Sequence, residues 1–297
     1  MVINILSKTI HYTKKALAKF FIAPKQIIEQ VLFDFYRIFF KIRVFDCFIF
    51  HNELEMLKLR LDYLNDVVDV FVIVEAKLTF TNKEKEKYNA ESFIKKLPNQ
   101  IRNKIRYIQL NPFQFPIEIR KNPWKMETFV RNAISFGLGD IKNFDFLWLS
   151  DVDEIPDKQK VFKLGRLSMF FSYYKMNLLK KQYWIWSKAI LGKHMTKSNP
   201  QKIRMKKWNN GIYVKKAGWH FSYLMSKEDI REKVQSFAHS EFNKEEFINL
   251  KKIEESIKSR KDLFGRSEEN LYIEKDLSFL PDTVKYNLEN YKHFIEN

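Results

Sequence analysis

Glycine and cysteine are the first shortages. The 297 residues include only seven glycines, and neither G-x-G-x-x-G nor G-x-x-x-x-G-K-[ST] occurs. That argues against a dinucleotide fingerprint and a P-loop, which need glycine where backbone amides approach phosphate. Cys47 is the only cysteine, so no intrachain disulfide can form. Inside the apolar run VFDCFIF it reads as a small core residue rather than a nucleophile, and such a chain suits a reducing compartment. No stretch approaches the ~18 uninterrupted apolar residues of a spanning helix. The amino terminus also lacks the apolar core and small-residue cleavage site of a signal peptide. Acid is short as well: 36 Asp and Glu stand against 53 Lys and Arg, a formal net charge of +17. Such an excess attracts polyanions, whether nucleic acid, anionic lipid, nucleotide diphosphate or acidic polysaccharide. The lysines are nevertheless spread along the chain, as solvated faces are.

Apolar material is abundant, 45% of residues with 16% aromatic, which excludes a disordered chain. There is no internal repeat and no low-complexity linker. Residues 1–42 read as a basic helical segment in which Ile28, Val31, Leu32, Phe35, Ile38 and Phe39 recur at helical spacing. Lys14, Lys15, Lys19, Lys25, Arg37 and Lys41 surround that stripe, and Pro24 interrupts or starts a helix. Its plainest use is packing on the rest of the protein. The sharper alternative is a helix lying on an anionic membrane.

From Val44 the pattern becomes strand and helix in alternation. VFDCFIF, VVDVFVIVEA (67–76), IRYIQL (105–110) and FDFLWLSDVDEIP (144–156) are apolar runs of strand length. Helices are expected over 52–65 and from about Trp124 to Gly137, with the glycine as the stop. Strands alternating with helices imply an α/β fold with a mostly parallel sheet. Its ligands would bind beyond the carboxyl ends of the strands. Two more helices are expected later, capped by Ser226 with Asp229 and by Asn243 with Glu246, the second ending near Gly265.

Asp151, Asp153 and Glu154 follow directly on an apolar strand. Three adjacent carboxylates repel unless a cation or hydrogen-bond donors offset them. Hard cations such as Mg²⁺ or Mn²⁺ favour such oxygens and leave positions open to substrate phosphate. Arg131, on the helix before that strand, can reach a diphosphate bidentately.

This combination resembles GT-A type nucleotide-diphospho-sugar transferases. More specifically it is similar to glycosyltransferase family 17, through VFDCFIFHNELEMLKLRLDYLNDVVDVFVIVEAKLTFTNKEK, FVRNAISFGL, FLWLSDVDEIP, AGWHFSYL and KVQSFAHSEFN, in order over residues 44 to 245. The resemblance implies a GT-A fold, a nucleotide-sugar donor (UDP-GlcNAc), an inverting transfer to a glycan acceptor, and Mn²⁺ or Mg²⁺. It implies Asp151 and Asp153 as metal and diphosphate-ribose ligands and His220 as a late metal ligand. Asn52, Glu53 and Glu75 would line the nucleotide pocket, Arg131 would face the diphosphate, and His239 with Glu241 would lie near the mouth. Glu241 and Glu154 are the candidate general bases, Glu241 preferred. Trp184, Trp186 and Trp208 offer stacking faces for a sugar.

Three segments are expected: residues 1–42 as the amphipathic arm, 43–245 as the catalytic domain and 246–297 as a helical extension. Animal members of the family begin with a membrane span. The basic arm here points instead to a cytoplasmic enzyme, peripheral on the inner face of a membrane, acting on a lipid-linked or surface glycan. The competing classes are a basic nucleic-acid-binding protein, for which no module signature appears, and a non-catalytic membrane-surface scaffold.

Overall fold

The computed structural model describes residues 25–206, 212–266 and 271–296. Lys14, Lys15, Lys19, Pro24 and Trp208 lie outside the described residues. Helix α1 (Lys25–Phe39) leads into β1 (Val44–Phe50), α2 (Leu54–Leu64), β2 (Val70–Ala76) and β3 (Ile105–Leu110). Next come α3 (Pro123–Asn132), β4 (Phe146–Asp151), β5 (Glu154–Pro156), β6 (Gly165–Leu167), β7 (Phe170–Tyr173), β8 (Lys175–Leu179) and β9 (Lys188–Leu191). The chain continues through α4 (Pro200–Met205), β10 (Tyr213–Val214), β11 (Gly218–Ser222), α5 (Lys227–Ser236), α6 (Leu250–Lys258) and β12 (Tyr272–Ile273).

Two sheets form. The larger runs β10-β6-β9-β4-β1-β2-β3 and the smaller β12-β8-β7-β11-β5. Strands β4, β1, β2 and β3 are parallel neighbours. Beyond β4, however, β9 pairs antiparallel with both β4 and β6. The mostly parallel sheet expected from the sequence is therefore a mixed one. The alternation that signalled parallel crossovers ends at β4, and the short strands after it return without intervening long helices. β1, β2 and β4 are almost wholly buried because apolar clusters cover both faces of the larger sheet.

The chain first leaves the larger sheet after β4. Asp151 closes β4 in the larger sheet and Glu154 opens β5 in the smaller, where His220 of β11 is its register partner. The acidic turn is thus a corner between two sheets.

Gly137 does not act as a left-handed helix stop. It ends a 3₁₀ turn, and a Cβ there would collide with the Val72 side chain, so its role is close approach to β2. The Ser226 cap forms as expected, its Oγ accepting from Asp229 N. The expected helix from Asn243 breaks instead at Asn249, whose side chain accepts from Lys251 N and Lys252 N and starts α6 afresh. Residues beyond 245 join the main body: β12 pairs with β8, and Leu280, Val284 and Phe294 enter the larger core cluster.

α1 attaches through its polar side. Gln30 bonds Phe162 O and Leu164 N, Gln26 accepts from Ile212 N, and Phe33 is fully buried against Phe146 and Phe162. Glu29 meets Lys193 at 2.7 Å and His194 at 2.8 Å. Burial alone would raise the Glu29 carboxyl, but bonds to His194 and Lys193 outweigh it and hold it below the ordinary range. A depressed folded-state value means the stabilisation is complete above the unfolded glutamate value of about 4.3 and is lost as pH falls through the folded value. Hydrogen exchange in α1 should therefore accelerate below about pH 4 before the central strands lose protection, and Glu29→Gln should flatten that step.

Candidate functional site

The acidic corner is shaped from beneath by Arg60, fully buried on α2. Its guanidinium bonds both oxygens of the equally buried Asp46 of β1 at 2.7 and 2.6 Å. It also donates to Ser150 Oγ and to the carbonyls of Asp151, Val152 and Glu154 at 2.6 to 3.2 Å. The Phe48 ring lies 4.2 Å from its centre. One side chain thereby fixes the path of the turn that presents the carboxylates.

Above the corner lies a cleft of about 460 Å³, bounded by the carboxyl ends of β1, β2 and β4 and by α3, α4 and α5. Asp151, Asp153, Glu154, Arg131, Glu53 and His220 all line it. Asp151 is held between two guanidiniums: Arg131 bonds its Oδ1 and Arg204 its Oδ2. Arg131 also bonds Glu127 and Gln201, while Asn132 Oδ1 accepts from Gln201 N. These contacts tie α3 to α4, and α4 carries Arg204. Arg131 is thus buried, with three of its N–H donors engaged within the protein.

Glu154 is fully buried and accepts from Arg204, Ser187 Oγ, Trp184 Nε1 and Asp151 N. Burial would raise its carboxyl, but Arg204 dominates and holds it far below the usual range. Arg204 in turn loses by burial and gains more from Asp151 and Glu154, ending raised.

Asp153 faces α5. Lys233 Nζ lies 3.0 Å from its Oδ2 and 2.9 Å from Glu53 Oε1. Burial opposes the ammonium, but the two carboxylates prevail and raise it; Glu53, buried too, is held low chiefly by Lys233. His220 Nε2 sits 3.7 Å from Asp153 Oδ1. Its ring stacks on Phe171, and its buried Nδ1 has no partner among the described residues. Burial lowers the His220 value against the pull of Asp153, so the ring favours the neutral form in which imidazole binds metals. Among the described residues no three His, Cys, Asp or Glu side chains converge as a metal centre. Asp151, with both oxygens taken by arginine, stands apart from the Asp153–His220 pair.

The remaining expected residues scatter. Glu75 is buried and absent from the cleft wall: it accepts from Lys85, Tyr107 and the amides of Asn89 and Ala90, which anchors the loop after β2. Asn52 lines a neighbouring hollow that shares Glu53 with the cleft. His239 lines the cleft, its ring against Trp124, and its Nδ1 donates to Glu241 at 2.7 Å. Glu241 is more than half exposed and stands behind that histidine. Trp184 and Trp186 both line the cleft. Sequence reading missed Arg60, Arg204 and Lys233. For Arg60 a signal existed: it shares the helix face of Leu57 and Leu64, while Asp46 interrupts an apolar strand, and buried charges of opposite sign must find each other.

The geometry defines an α/β protein whose ligand cleft opens at the carboxyl ends of parallel strands, over charge-compensated carboxylates. Residues 31–278 match the family model described as Glycosyltransferase family 17. The chain belongs to glycosyltransferase family 17. It is 24% identical to the β-1,4-mannosyl-glycoprotein 4-β-N-acetylglucosaminyltransferases of Rattus norvegicus and Homo sapiens over 292 residues, 85% of this chain and 54% of each relative. The Mus musculus protein of that name is 23% identical over the same shares. The chain thus spans about half the length of the curated relatives it matches.

Arg60→Met should cost about 3–5 kcal/mol in urea unfolding, because Asp46 is left buried without a cation. The double variant Asp46→Leu/Arg60→Met should recover part of that loss. It should not recover all of it, because three turn carbonyls still lack their donor.

Proposed function

We propose that this chain is an inverting glycosyltransferase with a GT-A type donor half, moving N-acetylglucosamine from UDP-GlcNAc to a glycan hydroxyl. The observation that carries the reading is the corner Asp151-Val152-Asp153 at the cleft floor, with Arg131, Arg204 and Lys233 set against its carboxylates. Family membership supports transfer, and the names of the rat and human relatives support the sugar.

Asp153 and the neutral His220 are the two side chains that fit a divalent cation, Mn²⁺ or Mg²⁺. Such ions commonly take one or two protein ligands and complete their shell with phosphate and water. When bound, the ion supplies Lewis-acid stabilisation of the leaving diphosphate. Arg131 and Arg204 present planar donors suited to phosphate, and their carboxylate partners keep them oriented in advance. Trp184 and Trp186 offer faces to the sugar ring.

In the transfer, the acceptor oxygen forms a bond to the sugar C1 opposite the diphosphate as the C1–phosphate oxygen bond breaks. The bonding pair leaves with the diphosphate, and the hydroxyl proton goes to a base. Glu154 is unsuited to that task because its oxygens are engaged by Arg204, Ser187 and Trp184. The reading assigns the proton to His239, with Glu241 fixing the ring through Nδ1 so that Nε2 accepts.

A UDP-release assay with UDP-GlcNAc, Mn²⁺ and a panel of glycan acceptors tests this. Asp153→Ala should lose roughly 100-fold or more in kcat while keeping a cooperative melt; full activity in that variant would refute the assignment. His239→Gln should lower kcat by about 10²–10⁴ with little change in donor-induced thermal stabilisation. Equal loss of both would instead make His239 a donor-binding residue.

A further inference from the structure

α1 is assembled inside out relative to an ordinary surface helix. Surface helices turn an apolar stripe to the core and their polar side chains to water. Here Gln26, Glu29 and Gln30 face the body and make its contacts, with Phe33 the one fully buried apolar side chain of the helix. Ile27, Val31, Leu32, Phe35, Ile38 and Phe39 are instead 42–72% exposed. They recur at spacings of three and four, so they form one continuous stripe. Of the expected stripe, Ile28 is half-buried, but Val31, Leu32, Phe35, Ile38 and Phe39 do not pack on the body, since the polar positions have taken that side.

Large contiguous apolar exposure marks a binding surface, and charge indicates its occupant. Lys25, Arg37 and Lys41 are exposed around the stripe. The 24 residues preceding the helix carry four lysines and no acidic residue. Among the described residues no helix is long and apolar enough to cross a membrane. An apolar strip of this length rimmed by cations matches the boundary of an anionic bilayer, where acyl chains take the side chains and lipid phosphates the lysines. We propose that α1 docks the protein in the plane of an anionic lipid surface. The helix packs at the first residue of β4, the other end of that strand from Asp151, so docking leaves the cleft clear of the lipid.

Vesicle flotation of the full chain tests the proposal. It should float with phosphatidylcholine vesicles containing about 30% phosphatidylglycerol and remain unbound with phosphatidylcholine alone, and about 0.5 M NaCl should weaken the binding. The triple variant Leu32→Ser/Phe35→Ser/Ile38→Ser alters only exposed positions and should reduce partition roughly 100-fold with an unchanged melting temperature. Three results would overturn the proposal: no flotation of the full chain, flotation untouched by the triple variant, or a concentration-dependent dimer in sedimentation that the triple variant abolishes. The last would assign the stripe to a second copy of this chain. None of these depends on the transferase reading, which the UDP-release assay examines separately.

Discussion

The guanidinium of Arg60 is the constraint on which the rest of the molecule turns. Burying a charge costs several kcal/mol unless partners surround it, and here the partners are the corner itself. Asp46 supplies the opposite charge from β1, and three carbonyls at residues 151, 152 and 154 complete the shell. The side chain comes from α2, its main partner from the first strand, and its remaining acceptors from the point where the chain first leaves the larger sheet for the smaller. Helix, sheet and corner are therefore mutually dependent. A corner held by carbonyls rather than by carboxylates also leaves Asp151 and Asp153 free to point upward. Structure is maintained below the turn and chemistry is presented above it.

Above the corner the same problem is solved differently. Asp151 and Glu154 share Arg204, Asp151 adds Arg131, and Asp153 and Glu53 share Lys233. Each cation bridges two carboxylates, so no acid is buried without a partner and none is neutralised by an isolated pair. Arginine suits the inner positions because its planar fork can serve two acceptors at once. Lysine, a point charge on a flexible stem, stands where Asp153 also faces His220. Of the two Asp residues, Asp153 meets one flexible ammonium rather than two planar guanidiniums.

The sequence disclosed the four parallel strands, the cleft at their carboxyl ends and the acidic turn, because these follow from local patterns: apolar runs of strand length and a carboxylate cluster at the end of one. The second sheet was not legible. Its strands are two to five residues long and lie in an aromatic-rich stretch with no clear period, so only tertiary pairing defines them. Arg204 and Lys233 were illegible for a related reason: each sits in a short, strongly charged segment where a buried cation looks the same as a solvated one. The Asn243 cap failed because Asn243 closes the 3₁₀ turn Ser240–Phe242 and the next helical turn starts one residue later, behind Lys244. Glu75 ends β2 as expected, but its position in the strand could not disclose that Lys85, Tyr107 and two loop amides would turn it inward.

The distribution of charge separates two tasks that composition merges. A net +17 invites the idea of a basic cleft drawing in a diphosphate. Yet the cleft wall carries Glu53, Glu127, Asp151, Asp153 and Glu154 against Arg131, Arg204, Lys233 and Arg266. With neutral histidines that is one acid in excess, so the positive surplus of the chain lies elsewhere. Attraction of a polyanion by the protein as a whole and the phosphate recognition proposed for the cleft are therefore distinct effects. The first depends on net charge and is screened within about 10 Å at ordinary salt. The second depends on buried guanidiniums already oriented by carboxylates, where screening is weaker. Removing surface lysines should thus alter association with anionic surfaces and leave the electrostatics of the corner nearly untouched, because the compensating charges there are supplied from within the cleft itself.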